Sequence, residues 1–149
     1  MTTIAYKDGI VAYDSRTIRG DYILTDNANK KRETEENFYF MSGSVDEFKA
    51  FIELYEKNIQ PTHKLDVCAF IVSRCEKRIY YAACWETNEG LFLIHKTEVD
   101  CAQAIGSGTS FAMTAMDCEK TASEAVKIAM LRDPKTGGTV HIFVLSEYI

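Results

Sequence analysis

The stretch TTIAYKDGIVAYDSR, residues 2–16, decides the fold. Two apolar runs, Thr3–Lys7 and Ile10–Asp14, flank Asp8-Gly9. An Asp-Gly pair between such runs specifies a two-residue hairpin turn, because both turn positions need positive φ and these two residues tolerate it. The turn then sets the register. Lys7 faces Ile10, Tyr6 faces Val11 and Ala5 faces Ala12; continued outward, Thr3 faces Asp14 and Thr2 faces Ser15. Opposed residues lie ~5 Å apart, so the hairpin alone sets the Asp14 carboxylate beside the start of the chain. Chain starts are usually frayed and polar; this one reads as a working strand.

Removal of Met1 ahead of a small residue would leave Thr2 carrying a free α-amine and a β-hydroxyl. With a reference pKa of ~7.7–8.0, such an amine is partly neutral near physiological pH. It can then take the hydroxyl's proton and make the oxygen a nucleophile. A neighbouring Lys ammonium would help by lowering the amine's proton affinity. The same residues also suit a plain edge hairpin, since threonine has a high strand propensity.

Outward from the hairpin, strands and helices separate by periodicity. Asp21–Thr25 and Asn37–Ser42 read as strands, and Ser44-Val45-Asp46-Glu47 reads as a capping box opening a helix to about Asn58. Asp66–Arg74, Arg78–Trp85 and Gly90–His95 read as strands, the first so apolar that both its faces should be covered. Ser107–Cys118 is expected to be helical, Thr121-Ala122-Ser123-Glu124 caps a further helix to about Arg132, and Val140–Leu145 is a last buried strand. Helices segregated from runs of antiparallel strands define an α+β class, with helices outside and two sheets inside.

The 149 residues suit a single domain spanning 1–149. A net charge of −5, and a short basic run at Asn29–Arg32 followed at once by Glu33, Glu35 and Glu36, argue against a nucleic-acid surface. No apolar run reaches the ~20 residues of a membrane span, and no signal peptide precedes the first strand, so a cytoplasmic protein is expected. The odd cysteine count and the absence of a C-x-x-C spacing suggest reduced core thiols. The three histidines are scattered, which argues against a metal, and no cofactor is expected. GSGT at Gly106–Thr109 lacks the Gly-Lys-Ser/Thr that would make it a phosphate loop.

Five stretches, in order, carry a resemblance: TTI at Thr2–Ile4, AYDSR ending at Arg16, NKK at Asn29–Lys31, AIGSGTSFA at Ala104–Ala112 and RDPKTGG at Arg132–Gly138. The chain resembles the proteasome β-type N-terminal nucleophile hydrolases, especially the HslV-like peptidases, of which it would be a compact member. The match covers most of the chain and is weakest between residues 60 and 100. The resemblance implies a four-layer αββα sandwich and a threonine-type peptidase with Thr2 as nucleophile and its amine as base. Asp14 and Lys31 would orient and polarise that pair, with Lys30 competing for the lysine role. Ser107, Asp133 and Thr136 would support the amine, Thr136 standing where the family usually has serine. Gly43 would supply the oxyanion N–H, with Tyr39 or Phe40 as alternatives, and Met41 would then floor an apolar substrate pocket. The implied partners are further copies in a homo-oligomeric, stacked ring, an ATP-dependent unfoldase and polypeptide substrates, with neither nucleic acid nor membrane. A retained Met1 would favour a non-catalytic ring or scaffold, and a monomer or dimer would favour a small-molecule amidase.

Overall fold

A computed structural model describes residues 2–149. The first hairpin forms from β1 (Thr3–Lys7) and β2 (Ile10–Tyr13), paired Lys7 to Ile10, Tyr6 to Val11, Ala5 to Ala12 and Ile4 to Tyr13. Asp8 and Gly9 take φ of 51° and 77°, the double positive-φ turn that the Asp-Gly pair requires. A two-stranded ribbon follows, β3 (Thr17–Arg19) with β4 (Tyr22–Thr25). Next come β5 (Lys31–Glu33), β6 (Asn37–Gly43), a 3-10 turn over Val45–Glu47 and α1 (Phe48–Lys57). The chain continues with β7 (Val67–Ser73), β8 (Arg78–Glu86), β9 (Phe92–Glu98), β10 (Gln103–Gly106), α2 (Thr109–Asp117), α3 (Ala122–Arg132) and β11 (His141–Val144).

Two antiparallel sheets, ordered β10-β1-β2-β11 and β5-β6-β7-β8-β9, face each other. Strand alternation sorts each side chain to one of two faces. Ile4, Val11, Tyr13 and Phe143 meet Phe38, Phe40, Phe70 and Val72 between the sheets. The Phe38 and Phe40 rings lie 4.8 and 5.1 Å from that of Phe143. On the outer face of the first sheet, Ala5 and Ala12 are small enough for α2 and α3 to pack closely through Ala112, Ala115, Ala125 and Val126. On the outer face of the second, Tyr39, Met41, Ala69 and Ile71 receive Phe48 and Phe51 of α1. The layers are therefore helix, sheet, sheet, helices. Each fully buried Phe or Ile in these cores contributes roughly 1.5–3 kcal/mol.

Several sequence expectations need correction. β3, β5 and β10 are strands that periodicity did not reveal, the first two being only three residues each. Residues read as Gly90–His95 form a strand over Phe92–Glu98, and α2 starts at Thr109 rather than Ser107. The Thr121–Glu124 capping box is formed, but the Ser44–Glu47 one is not. Ser44 instead donates its N–H to Asp66 O (2.7 Å), and Glu47 Oε1 accepts the Asp66 N–H (3.2 Å), so this pair staples the entry to β7. All five thiols are free, yet only Cys84 is buried; Cys68 is half-buried and Cys75, Cys101 and Cys118 are exposed, not core. No helix among the described residues is long and apolar enough to cross a membrane.

Candidate active site

The hairpin register delivers Asp14 where β2 ends, its N–H donating to Thr3 O at 3.3 Å. Its carboxylate is fully buried. Oδ1 accepts from the Thr2 hydroxyl, from the Thr3 N–H (3.3 Å) and from Lys30 Nζ (2.8 Å). Oδ2 accepts the N–H groups of Gly137 (3.0 Å) and Arg16 (3.4 Å). A carboxylate held by donors on both oxygens is fixed in place, and it in turn orients the Thr2 hydroxyl.

The lysine beside it is Lys30, not Lys31. Lys30 is nearly buried, pairs with Asp14 and also donates to Arg16 O at 2.6 Å. Burial holds its ammonium below the ordinary lysine value, against the opposing pull of Asp14. Lys31 opens β5 opposite Phe40, so its side chain follows that ring's face; its Nζ lies 5.8–6.0 Å from the Phe38, Phe143 and Tyr148 rings. A one-residue step reverses the face of a strand side chain, which is why the Lys-Lys pair was ambiguous.

A second polar cluster flanks residue 2. Ser107 Oγ lies 3.4 Å from Thr2 O and donates to Asp133 Oδ2 (2.6 Å), which also accepts from Thr136 Oγ1 at 2.6 Å. Thr136 and Thr3 hydroxyls are 2.6 Å apart. Burial opposes ionisation of Asp133, but the donors Ser107, Thr136 and the Lys135 N–H outweigh it and hold the carboxyl below its usual value. Ser107, Asp133 and Thr136 thus meet, and they reach the Thr2 carbonyl and the Thr3 side chain. Gly106 takes φ of +100° opposite Thr3, and a Cβ there would run into the Thr2 carbonyl.

Three participants escaped the sequence analysis. Thr3 bonds Thr136, the Gly137 N–H holds Asp14, and Arg16 braces both loops. The Arg16 guanidinium pairs with Asp26 (2.8 and 3.2 Å) and donates to Pro134 O (2.8 Å). The signals were present, since Arg16 closes the AYDSR stretch and Gly137 lies in RDPKTGG.

A cavity of about 170 Å³ opens on Thr2 and is lined by Lys30, Arg32, Met41, Gly43 and Phe48 among others. Gly43 has φ of +121° and packs so tightly on Asp66 that no side chain fits there. Tyr39 and Phe40, the alternative oxyanion positions, sit fully buried mid-strand in β6 and do not line this cavity. Met41 lines it, and so do the basic residues Arg16, Lys30 and Arg32. A larger groove of about 890 Å³ beside α1 touches no member of the Thr2 network.

Two facing antiparallel sheets between helical layers, with the first strand leading into the polar site, define the four-layer αββα fold of the N-terminal nucleophile hydrolases. The fold is that of the HslV-like peptidases. The chain is similar to Thiobacillus denitrificans BPH in complex with epoxomicin, at TM-score 0.67 and 18% identity over 95% of this chain and 96% of that one. It is similar also to Thiobacillus denitrificans BPH (0.66, 19%, 95% and 95%) and to eukaryotic HslV from Trypanosoma brucei (0.66, 19%, 95% and 97%). No protein-family model and no curated protein matches the chain.

Proposed function

We propose that the protein is a threonine-type endopeptidase of the proteasome-like kind, with Thr2 as nucleophile once Met1 is removed. The observation that carries the proposal is the convergence of the Thr2 hydroxyl and Lys30 Nζ on one oxygen of the buried Asp14. It is supported by the HslV-like fold and by the epoxomicin complex of a protein sharing that fold.

In this reading Thr2 Oγ1 attacks the carbonyl carbon of a peptide bond while the free Thr2 amine takes the hydroxyl proton. The Lys30 ammonium keeps that amine's proton affinity low, and Asp14 holds both partners in orientation. A backbone N–H at Gly43 stabilises the oxyanion. The C–N bond breaks, the amine returns the proton to the leaving nitrogen, and an ester remains on Thr2. Water, activated by the same amine, then hydrolyses the ester. Ser107, Asp133 and Thr136 keep residue 2 in place. The lysine role assigned to Lys31 passes to Lys30.

The proposal extends to a cytoplasmic protein that forms homo-oligomeric, stacked rings fed by an ATP-dependent unfoldase. Tyr22, Ile23 and Leu24 stand exposed together on β4, a run that a neighbouring subunit would cover. Light scattering of the purified protein tests this, since a monomer would favour a small-molecule amidase instead. The catalytic proposal is tested by hydrolysis of fluorogenic peptides by protein made in cells with methionine aminopeptidase. Thr2→Ala is expected to reduce turnover to background; full activity in that variant refutes Thr2 as nucleophile.

A further inference from the structure

The cavity beside Thr2 has an uneven charge. Its lining includes Arg16, Lys30 and Arg32 and no acidic residue. Two of these charges are already matched, Arg16 by Asp26 and Lys30 by Asp14. Arg32 is not matched, because it makes no ion pair among the described residues. The adjacent Glu33 is engaged by Arg74 at 2.9 Å. Arg32 instead lies over the Phe48 ring, 5.4 Å from its centroid, which fixes the guanidinium at the cavity wall. The same cavity is lined by Met41 and Phe48, both buried.

A cavity that sets Met41 and Phe48 beside one unpaired guanidinium suits a side chain with a short aliphatic stem and a carboxylate end. Its methylenes pack on Met41 and Phe48, and its carboxylate meets Arg32 in the fork geometry that arginine favours. A lysine side chain would bring a second cation against the unpaired Arg32. We infer that the cavity holds the substrate residue preceding the scissile bond, and that Arg32 makes it select glutamate over leucine and leucine over lysine. The inference rests on the peptidase proposal for which substrate residue sits there; the acidic preference itself rests on the cavity. Arg32 is exposed, so the selectivity is modest, about fivefold for glutamate over leucine, the worth of a good exposed ion pair.

The test separates binding from turnover. Acetylated, fluorescently labelled tetrapeptides differing only in a C-terminal Glu, Leu or Lys are titrated by anisotropy into the Thr2→Ala protein, which lacks the nucleophile. The expected order is Glu, Leu, Lys, with the roughly fivefold Glu advantage shrinking in added salt. It should vanish in Arg32→Gln and turn towards Lys in Arg32→Glu. The inference is overturned if Leu binds as well as Glu, if Arg32→Gln leaves the order unchanged, or if none of the three binds. Hydrolysis of the matching fluorogenic amides is read separately in protein with Thr2 intact. Failure to cleave any of them while the Glu preference stands refutes the peptidase and supports the pocket.

Discussion

Replacing Asp14 by asparagine keeps the side chain's shape and removes its charge, and the structure sets the cost. Three donors converge on Oδ1 and two on Oδ2. An amide has one oxygen and one NH2, so in either orientation at least two of these donors face another donor. Lys30, 8% exposed, also loses the one ion-pair partner it has among the described residues. Leaving a buried donor unmatched costs about 1–3 kcal/mol, and removing one partner of a buried ion pair about 3–5 kcal/mol. These costs overlap, so Asp14→Asn should destabilise by about 4 kcal/mol. Lys30→Met should cost less, because the stranded Asp14 carboxylate keeps four other donors, the Thr2 hydroxyl and the Thr3, Arg16 and Gly137 N–H groups. The double variant should be less destabilised than the two single losses summed, by roughly 1–3 kcal/mol. Urea unfolding followed by far-ultraviolet circular dichroism, at fixed protomer concentration, gives all four corners of the cycle. A loss below about 1 kcal/mol for Asp14→Asn, or strict additivity, would refute the idea that one carboxylate organises this site.

Lys30→Ala should lower peptide hydrolysis by about a hundredfold or more, whereas Lys31→Ala should leave turnover intact and cost only the ~0.5–1 kcal/mol of its aromatic contacts; steady-state kinetics and unfolding measure the two. Asp133 has a lowered carboxyl pKa in the folded state, so its stabilisation is complete above the ordinary value of 3.8 and lost as pH falls through the folded value. The stability gap between the parent and Asp133→Asn should therefore narrow as pH drops from about 5 to below that value, and a gap that widens counts against the hydrogen bonds from Ser107 and Thr136. Burial pushes the Cys68 thiol up to about 11 and Cys84 is inaccessible, so a thiol reagent near pH 8 should modify Cys75, Cys101 and Cys118 quickly and the other two slowly, as read by intact mass. Gly106→Ala should disorder residue 2 and lose activity through a fall in kcat, because its Cβ meets the Thr2 carbonyl.

The parts legible in the sequence were those set by local chemistry. Asp8-Gly9 dictated the turn, the turn dictated the register, and the register put Asp14 beside the chain start. The Thr121–Glu124 box was readable because both of its hydrogen bonds are made within one helix turn. The Ser44–Glu47 box had the same spelling, but Asp66, distant in sequence, captured the Ser44 N–H and the Glu47 carboxylate. β5 was hidden because Lys31-Arg32-Glu33 has no apolar alternation, and its pairing with β6 comes from the neighbouring strand. β10 was hidden because Gln103–Gly106 runs straight into the turn before α2. The choice between Lys30 and Lys31 depends on where β5 begins, and no composition rule sets that to one residue. Arg16 and Gly137 act on Asp14 through backbone groups and loop bracing, which side-chain type does not announce.

The central claim is that Thr2 acts through a free α-amine and a hydroxyl held on Asp14. The most direct measurement is intact mass spectrometry of protein from cells with methionine aminopeptidase, before and after acid quenching of a reaction with a peptide ester. The account predicts a mass lacking Met1 and, after reaction, an acyl group that peptide mapping puts on Thr2. Met1 retained on essentially every chain, or an acyl group on any other residue, would contradict it.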